Sequence, residues 1–191
     1  MNWPSGGDIY YNSSSNARRN FYGINSIPSA RLDGQNVPCT GWAGQIPSLL
    51  TSQSPISITI TGSYNPANRA VCLHGTVYCE TAMTGSSFKI YFCITEDDLY
   101  ANGRHYNRVC RQVNASGNGW NFSISPGQTQ MINYGLTLDA AWKVDDLKVA
   151  CWVQEFSSKA VQNSDQIDFA DLSVGAGVEP TSLGNIKAIY Q

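Results

Sequence analysis

Pro55-Ile56-Ser57-Ile58-Thr59-Ile60-Thr61 is the stretch that decides the fold. Isoleucine alternates with a hydroxyl residue at a period of two, the signature of a strand with one buried and one solvated face. The same pattern recurs outward along the chain. Beyond a turn at Tyr64-Asn65-Pro66-Ala67-Asn68, Val71, Leu73, Val77 and Cys79 share one face, and Cys72, His74, Thr76 and Tyr78 share the other. After Thr84-Gly85, Phe88, Ile90, Phe92 and Ile94 oppose Lys89, Tyr91, Cys93 and Thr95. Further strands are predicted within Tyr106–Val113, Trp120–Ile124, Thr129–Leu138 and Leu147–Val153, with a weaker one at Ala160-Val161. Short strands separated by turn residues predict a mainly β fold: an antiparallel, immunoglobulin-like β-sandwich over residues 54–165, without a long helix.

Residues 1–53 read as an irregular N-terminal region, punctuated by glycine and proline. One short helix is predicted over Asn16–Tyr22, with Ala17, Asn20 and Phe21 on a stripe and Gly23 ending it. Ser29–Leu32 reads as a short strand closed by Asp33-Gly34, and Ile46–Thr51 as a turn or two of helix. Residues 166–191 read as a C-terminal linker and tail, in which Ile186 and Ile189 could anchor a helical turn or an edge strand.

Composition narrows the setting. The 191 residues carry a net charge of -2, so no basic footprint for nucleic acid exists. No stretch approaches the length of apolar residues that spans a membrane as a helix. Only 14% of residues are charged, whereas 42% are hydrophobic, so the polar surface is built from Ser, Thr, Asn and Gln. The 6 cysteines, Cys39, Cys72, Cys79, Cys93, Cys110 and Cys151, point to an oxidising compartment. Met1-Asn2-Trp3-Pro4 opens without an apolar signal region. The chain is therefore expected to be the mature or partial product of a longer secreted precursor, located outside the cell or at its surface.

None of the cysteines has the Cys-x-x-Cys spacing of a zinc site, so they are read as structural disulfides. Facing favours Cys79 with Cys151 through the core and Cys93 with Cys110 across adjacent strands, which leaves Cys39 for Cys72. The scheme holds only where the alternation is unbroken, because one bulge inverts every later side chain. Any nucleophilic chemistry must use His74 or His105, the two histidines. His74 lies mid-strand on the outer face. His105 is flanked by Arg104, Arg108 and Arg111, a mildly cationic cluster near a loop. Glu96-Asp97-Asp98 and Asp145-Asp146 are hard oxygen ligands of the kind calcium takes, but they match no EF-hand spacing and are read as solvated turns. No cofactor is expected.

Aromatic residues are in surplus. By period, Tyr78, Tyr91 and Trp152 fall on outer sheet faces, and Trp3, Tyr10 and Tyr11 add to the N-terminal segment. Such residues stack on sugar rings, pack against a second subunit, or are covered by the N-terminal region folding back. Asn12-Ser13-Ser14, Asn114-Ala115-Ser116 and Asn121-Phe122-Ser123 are glycosylation triplets that a chain rich in Asn and Ser also produces by chance.

Local strings carry a family resemblance. Arg19-Asn20-Phe21-Tyr22-Gly23-Ile24-Asn25-Ser26-Ile27-Pro28-Ser29, followed by Leu32-Asp33-Gly34, resembles the late part of a thioredoxin-like domain, with Pro28 at the position of that fold's cis-proline. Glu96-Asp97-Asp98-Leu99-Tyr100, His105-Tyr106-Asn107-Arg108-Val109-Cys110-Arg111, Ser125-Pro126-Gly127-Gln128, Trp142 and Leu147-Lys148-Val149-Ala150-Cys151-Trp152-Val153-Gln154 resemble the Omp28-related proteins over roughly residues 16–165. The resemblance implies a thioredoxin-like segment followed by a β-sandwich, in a bacterial secreted or outer-membrane-associated protein. The family's second histidine near residue 105 is replaced here by Arg108, which weakens any shared metal site. The 27 residues before Pro28 contain no cysteine, so the dithiol motif of a redox domain is absent from this stretch.

The sequence therefore predicts a non-enzymatic extracellular module with a structural or adhesive role, built into a surface filament by self-association. The N-terminal segment Asn2–Ser15 is expected either to fold back or to add along an exposed strand of the next copy. The alternatives are a carbohydrate-binding module using the aromatic face, and a remnant of a thiol oxidoreductase.

Overall fold

The structure is a computed structural model that describes residues 8–26 and 29–175. Helix α1 (Ser13–Phe21) and helix α2 (Trp42–Thr51) precede the strands. β1 (Ile56–Asn65), β2 (Ala70–Cys79) and β3 (Phe88–Glu96) follow, then the short β4 (Leu99–Ala101) and β5 (Arg104–Tyr106). β6 (Val109–Val113), β7 (Trp120–Phe122), β8 (Thr129–Thr137) and β9 (Leu147–Glu155) continue the chain. β10 (Val161–Asp168) and β11 (Ser173–Val174) complete it.

Two sheets form. The first has the order β11-β1-β2-β8, and the second β10-β9-β3-β6, with β7 also on β3. All pairs are antiparallel except β1 with β11. The predicted alternation sets the facing. Ile56, Ile60, Val71, Leu73, Val77 and Cys79 from the first sheet meet Ile90, Phe92, Ile94, Val149, Cys151 and Val153 from the second in one buried core. The sheets approach closely where Gly75 faces Phe92. A Cβ on Gly75 would lie 2.8 Å from the Phe92 ring and 3.2 Å from the Cys151 sulfur. The second sheet has another small cluster on its far side, Tyr91, Cys93 and Val113, with Cys110, Ala150 and Trp152 against it.

β3 pairs with β7 at Phe88–Ile90 and with β6 at Cys93–Glu96, which leaves its middle without a strand partner on that edge. The side chain of Asn114 fills the gap. Its Oδ1 accepts from the Phe92 amide at 3.0 Å and its Nδ2 donates to the Ile90 carbonyl at 3.2 Å, as a strand would. The Asn114 triplet is thus no glycosylation acceptor: the amide is buried and committed to backbone.

Several expectations need correction. Residues 166–168 are not linker but the end of β10, Phe169 and Leu172 are buried in the core, and β11 pairs with β1. The sandwich therefore runs to Val174. The strand expected over Tyr106–Val113 is divided: Tyr106 ends β5, which pairs with β4 as a hairpin, and β6 begins at Val109. Ser29–Leu32 makes only an isolated bridge, Leu32 to Gln35. The predictions on Trp3, Pro28, Ile186 and Ile189 lie outside the described residues.

Candidate functional site

α1 lies across the outer face of the second sheet. Asn12 caps it, its Oδ1 accepting from the Ser15 amide at 2.9 Å, while its Nδ2 donates to the Cys110 carbonyl of β6 at 2.7 Å. Ser14 donates to the Val113 carbonyl at 3.3 Å. Below the helix, Tyr91 and Trp152 stack with ring centroids 4.9 Å apart and an interplanar angle of 10°. The Arg18 guanidinium sits 4.3 Å from the Tyr91 centroid and 5.6 Å from that of Trp152, with Phe21 at 4.6 Å and Tyr22 at 4.9 Å. It donates to Gln154 Oε1 at 2.6 Å and to the Tyr22 hydroxyl at 2.9 Å. Tyr91, expected on an exposed stripe, is 1% exposed, and Trp152 is half-buried. The physical reason is that a cation with a flat charged face lies over both rings and covers them. Tyr10 packs edge-on to Tyr106 at 5.6 Å, so Asp8–Phe21 folds back on its own subunit. Tyr11 and Tyr78 remain exposed, Tyr78 on the outer face of the first sheet.

Beside the stacked rings lie two thiols. Cys93 donates to the Cys110 sulfur across 3.7 Å. Their shared facing comes from a bulge. β6 shifts register between the pairs Ile94–Gln112 and Thr95–Cys110, so Arg111 is the extra residue, and both Val113 and Cys110 face outward. The Cys110 thiol is lowered to about 7, first by the hydrogen bond from Cys93, against burial, and further by Ser15 and Arg18. Cys93 is pushed well up, first by that same hydrogen bond and then by burial. A cavity of about 410 Å³ opens on the pair, with Asp8, Tyr10, Arg18, Tyr106 and Trp152 among its walls.

None of the predicted disulfides is present among the described residues: Cys72, Cys79, Cys93, Cys110 and Cys151 are all free thiols, Cys93 and Cys110 touching without a bond. The Cys151 sulfur lies 3.2 Å from the Cβ position of Gly75, whereas Cys79 is four residues further along β2, roughly 13 Å at the rise of a strand. A disulfide reaches no more than about 7 Å between α-carbons. The Cys79 thiol instead donates to the Thr81 carbonyl at 3.1 Å. The Cys39 side chain, proposed partner of Cys72, lies outside the described residues.

Cys72, His74 and Asn133 line up on the outer face of the first sheet. The Cys72 sulfur is 3.8 Å from His74 Nε2, and His74 Nδ1 is 2.7 Å from Asn133 Oδ1. The order of groups matches nucleophile, base and orienting amide. However, burial raises the Cys72 thiol, and residues 70–78 of β2 are in register with both β1 and β8. A ladder on both sides spends the backbone N–H groups that an oxyanion needs.

The acidic and cationic groups pair with one another. Glu96, expected as a solvated turn residue, is fully buried: Arg111 Nε meets its Oε2 at 2.5 Å, and the Lys143 amide donates to its Oε1 at 2.9 Å. Asp97 takes the Arg108 amide at 2.6 Å, and Asp98 meets His105 at 3.2 Å. The arginines expected to crowd His105 are thus drawn off, Arg108 to Asp97 and Arg111 to Glu96. Asp146 pairs with Lys143 at 3.6 Å. Among the described residues no three such ligands converge as a metal site.

Among the described residues, two surfaces stay uncovered. β8 pairs with β2 on one side and, among the described residues, with no strand on the other. Its sequence, Thr129-Gln130-Met131-Ile132-Asn133-Tyr134-Gly135-Leu136-Thr137, contains no charge and no proline, and Met131 is 59% exposed. α2 exposes Ile46, Leu49 and Leu50 beside a groove shared with Leu32, Pro55 and Trp152.

The profile of the family described as Outer membrane protein Omp28 matches residues 15–170. HBP35 of Porphyromonas gingivalis is similar in structure, with a TM-score of 0.66 and 13% identity over 93% of this chain and 63% of that one. This chain thus spans less than two thirds of HBP35, and at that identity the likeness speaks to the fold alone. A domain of the outer membrane lipoprotein Omp28 from the same organism gives 0.45 and 10% identity, over 64% of this chain and 93% of that one. The sporulation control protein Spo0M from Bacillus subtilis gives 0.41 and 14%, over 65% and 51%. No curated protein matches the sequence.

Proposed function

The chain belongs to the Omp28 outer membrane protein family, and on that premise we propose that it is a non-catalytic structural module of the cell surface that self-associates through the free edge of β8. The observation that carries this reading is the nine-residue, uncharged edge of β8. Natural edge strands are blunted with lysine, proline, bulges or a covering element, because unpaired N–H and C=O groups template another strand. β8 has none of the first two, and its register with β2 is unbroken. The occupant is β8 of a second copy. Antiparallel pairing of the strand with itself joins two four-stranded sheets into one, and with few charges there is little to repel the copies.

A two-fold contact of this kind closes into a dimer. Growth to a filament needs a second contact, and the reading places it at α2, whose Ile46, Leu49 and Leu50 are exposed, against α2 of the next copy. Residues 8–21 are not the donor, because they are spent on the second sheet of their own subunit. The glycan-binding alternative loses its aromatic stripe with Tyr91 buried. The module acts without a cofactor.

Sedimentation velocity of the full chain at micromolar concentration tests the proposal. The expected result is a dimer or larger species. The double variant Thr129→Lys with Met131→Lys, both exposed positions, should sediment as smaller species than the native chain, with an unchanged far-UV spectrum. A native chain that stays monomeric, or a double variant that assembles equally, overturns it.

A further inference from the structure

We propose that Cys93 and Cys110 form a redox site that takes disulfides as oxidants, with Cys110 as the thiol that reacts first and a Cys93–Cys110 bond, stapling β3 to β6 beneath α1, as the product.

Three observations carry it. The sulfur atoms are already in contact at 3.7 Å, and their side chains share a face because of the bulge at Arg111. Closing to a bond of about 2.05 Å therefore needs side-chain rotation rather than a change of strand pairing. The pair is reached through a real cavity, of about 410 Å³, rather than sealed in the core. The cavity is also lined by three guanidiniums, Arg18, Arg19 and Arg108, against the carboxylates of Asp8 in its wall and Asp97 paired with Arg108, so it is net cationic and an anionic disulfide such as oxidised glutathione suits it.

The two cysteines are unequal in a way that assigns their order. Cys110 is half-buried and accepts the hydrogen bond from Cys93, which favours its thiolate, the nucleophilic form. Cys93 is 8% exposed and donates. The Cys110 thiolate attacks one sulfur of the incoming disulfide, forming a mixed disulfide and expelling one thiolate. Cys93 then gives up its proton and attacks the Cys110 sulfur, expelling the second thiolate. The protein loses two protons and two electrons in all, and the incoming disulfide leaves as two thiols. The outer-membrane setting of the family is one in which such bonds form and persist.

The inference is independent of β8 and survives a monomeric result. The full, unmutated chain is treated with oxidised glutathione, denatured, and its peptides mapped. A peptide joining Cys93 to Cys110, with Cys79 and Cys151 still thiols, is expected. Recovery of Cys93 and Cys110 as thiols, or joined to other cysteines, overturns the proposal. The order of attack is read from single variants. Cys93→Ser should trap glutathione on Cys110, at a rate that falls as pH drops. Cys110→Ser should leave Cys93 capped at least about ten-fold more slowly. Equal capping of the two overturns the assignment of Cys110 as the entry thiol.

Discussion

Arg18→Met tests whether α1 is held by its guanidinium. The helix has nine residues, fewer than the roughly 12–15 that even a good helix-former needs in water, so its docking must supply its stability. Its sheet-facing side offers Ser14, Ser15 and Arg18 rather than an aliphatic stripe. The bonds of Arg18 to Gln154 and Tyr22 are charge-assisted, about 1.5 kcal/mol or more each. Stacking on Tyr91 adds about 0.5–1 kcal/mol. Against these, Nη1 is buried without a partner, a desolvation loss of about 1 kcal/mol or more, and methionine would keep part of the ring contact through its own stem. The net expectation is a loss of about 2–3 kcal/mol for Arg18→Met, or roughly a hundred-fold in the docking equilibrium. Two readouts are needed, because a terminal helix can open as its own unit. Urea unfolding followed by far-UV circular dichroism reports the global loss, and hydrogen exchange of the amides of residues 16–22 reports local opening. If α1 opens alone, the loss appears in exchange with the urea midpoint unchanged; if it opens with the sandwich, both move. Arg18→Met with both readouts within about 0.5 kcal/mol of the native chain would refute the reasoning.

Arg111→Met leaves the carboxylate of Glu96 buried without its cation and should cost about 3–5 kcal/mol by urea unfolding, while Glu96→Gln with Arg111→Met together should recover most of it. Equal losses in the single and double variants would show that the pair is not coupled. Stability should also fall in alkali through Cys151, whose thiol burial, aided by the Asp165 carboxylate, pushes from 9.0 to about 12. A raised value in the folded state means the contribution is fully present below pH 9 and is lost as pH rises towards 12, by up to about 4 kcal/mol. Cys151→Ala should show a shallower alkaline decline in the same titration, and parallel curves would exclude the buried thiol as its source.

The core was legible because burial on one face leaves a period of two in the side chains. Ile56, Leu73, Phe92 and Val149 face inward as their alternation predicts, and so do Cys79 and Cys151. The same periodicity places Cys93 with Cys110, although their contact depends on the Arg111 bulge, which alternation cannot reveal. It fails for Cys79 with Cys151, because facing fixes the side of a sheet and not the height along a strand. β10 was nearly invisible for a related reason. Its sequence Val161-Gln162-Asn163-Ser164-Asp165-Gln166-Ile167-Asp168 has few apolar residues, and its polar side chains serve the neighbouring sheet: Asn163 donates to the Ile56 carbonyl and Asp165 accepts from the Ile60 amide. Those bonds protect an edge of β1 that would otherwise be open, a role with no hydrophobic signature.

The candidate site was hidden for the opposite reason: its parts were read separately. Tyr91 and Trp152 were visible as outward aromatics, Cys93 and Cys110 as a cross-strand pair, and Asn16–Tyr22 as a short helix with Ala17, Asn20 and Phe21 on one stripe. What joins them is Arg18, a residue that hydrophobic periodicity assigns to solvent. A guanidinium is flat, weakly hydrated and always charged, so it can cover two stacked rings while donating sideways to Gln154 and Tyr22. Placing that cation there also sets a positive field beside Cys110 and roofs the thiols with a helix whose own docking is modest. Opening of α1 therefore adds a second route to Cys110 beside the cavity. Arg18→Met should raise the rate at which Cys110 is reached when α1 opens, and lower the fraction of Cys110 present as thiolate when it is closed.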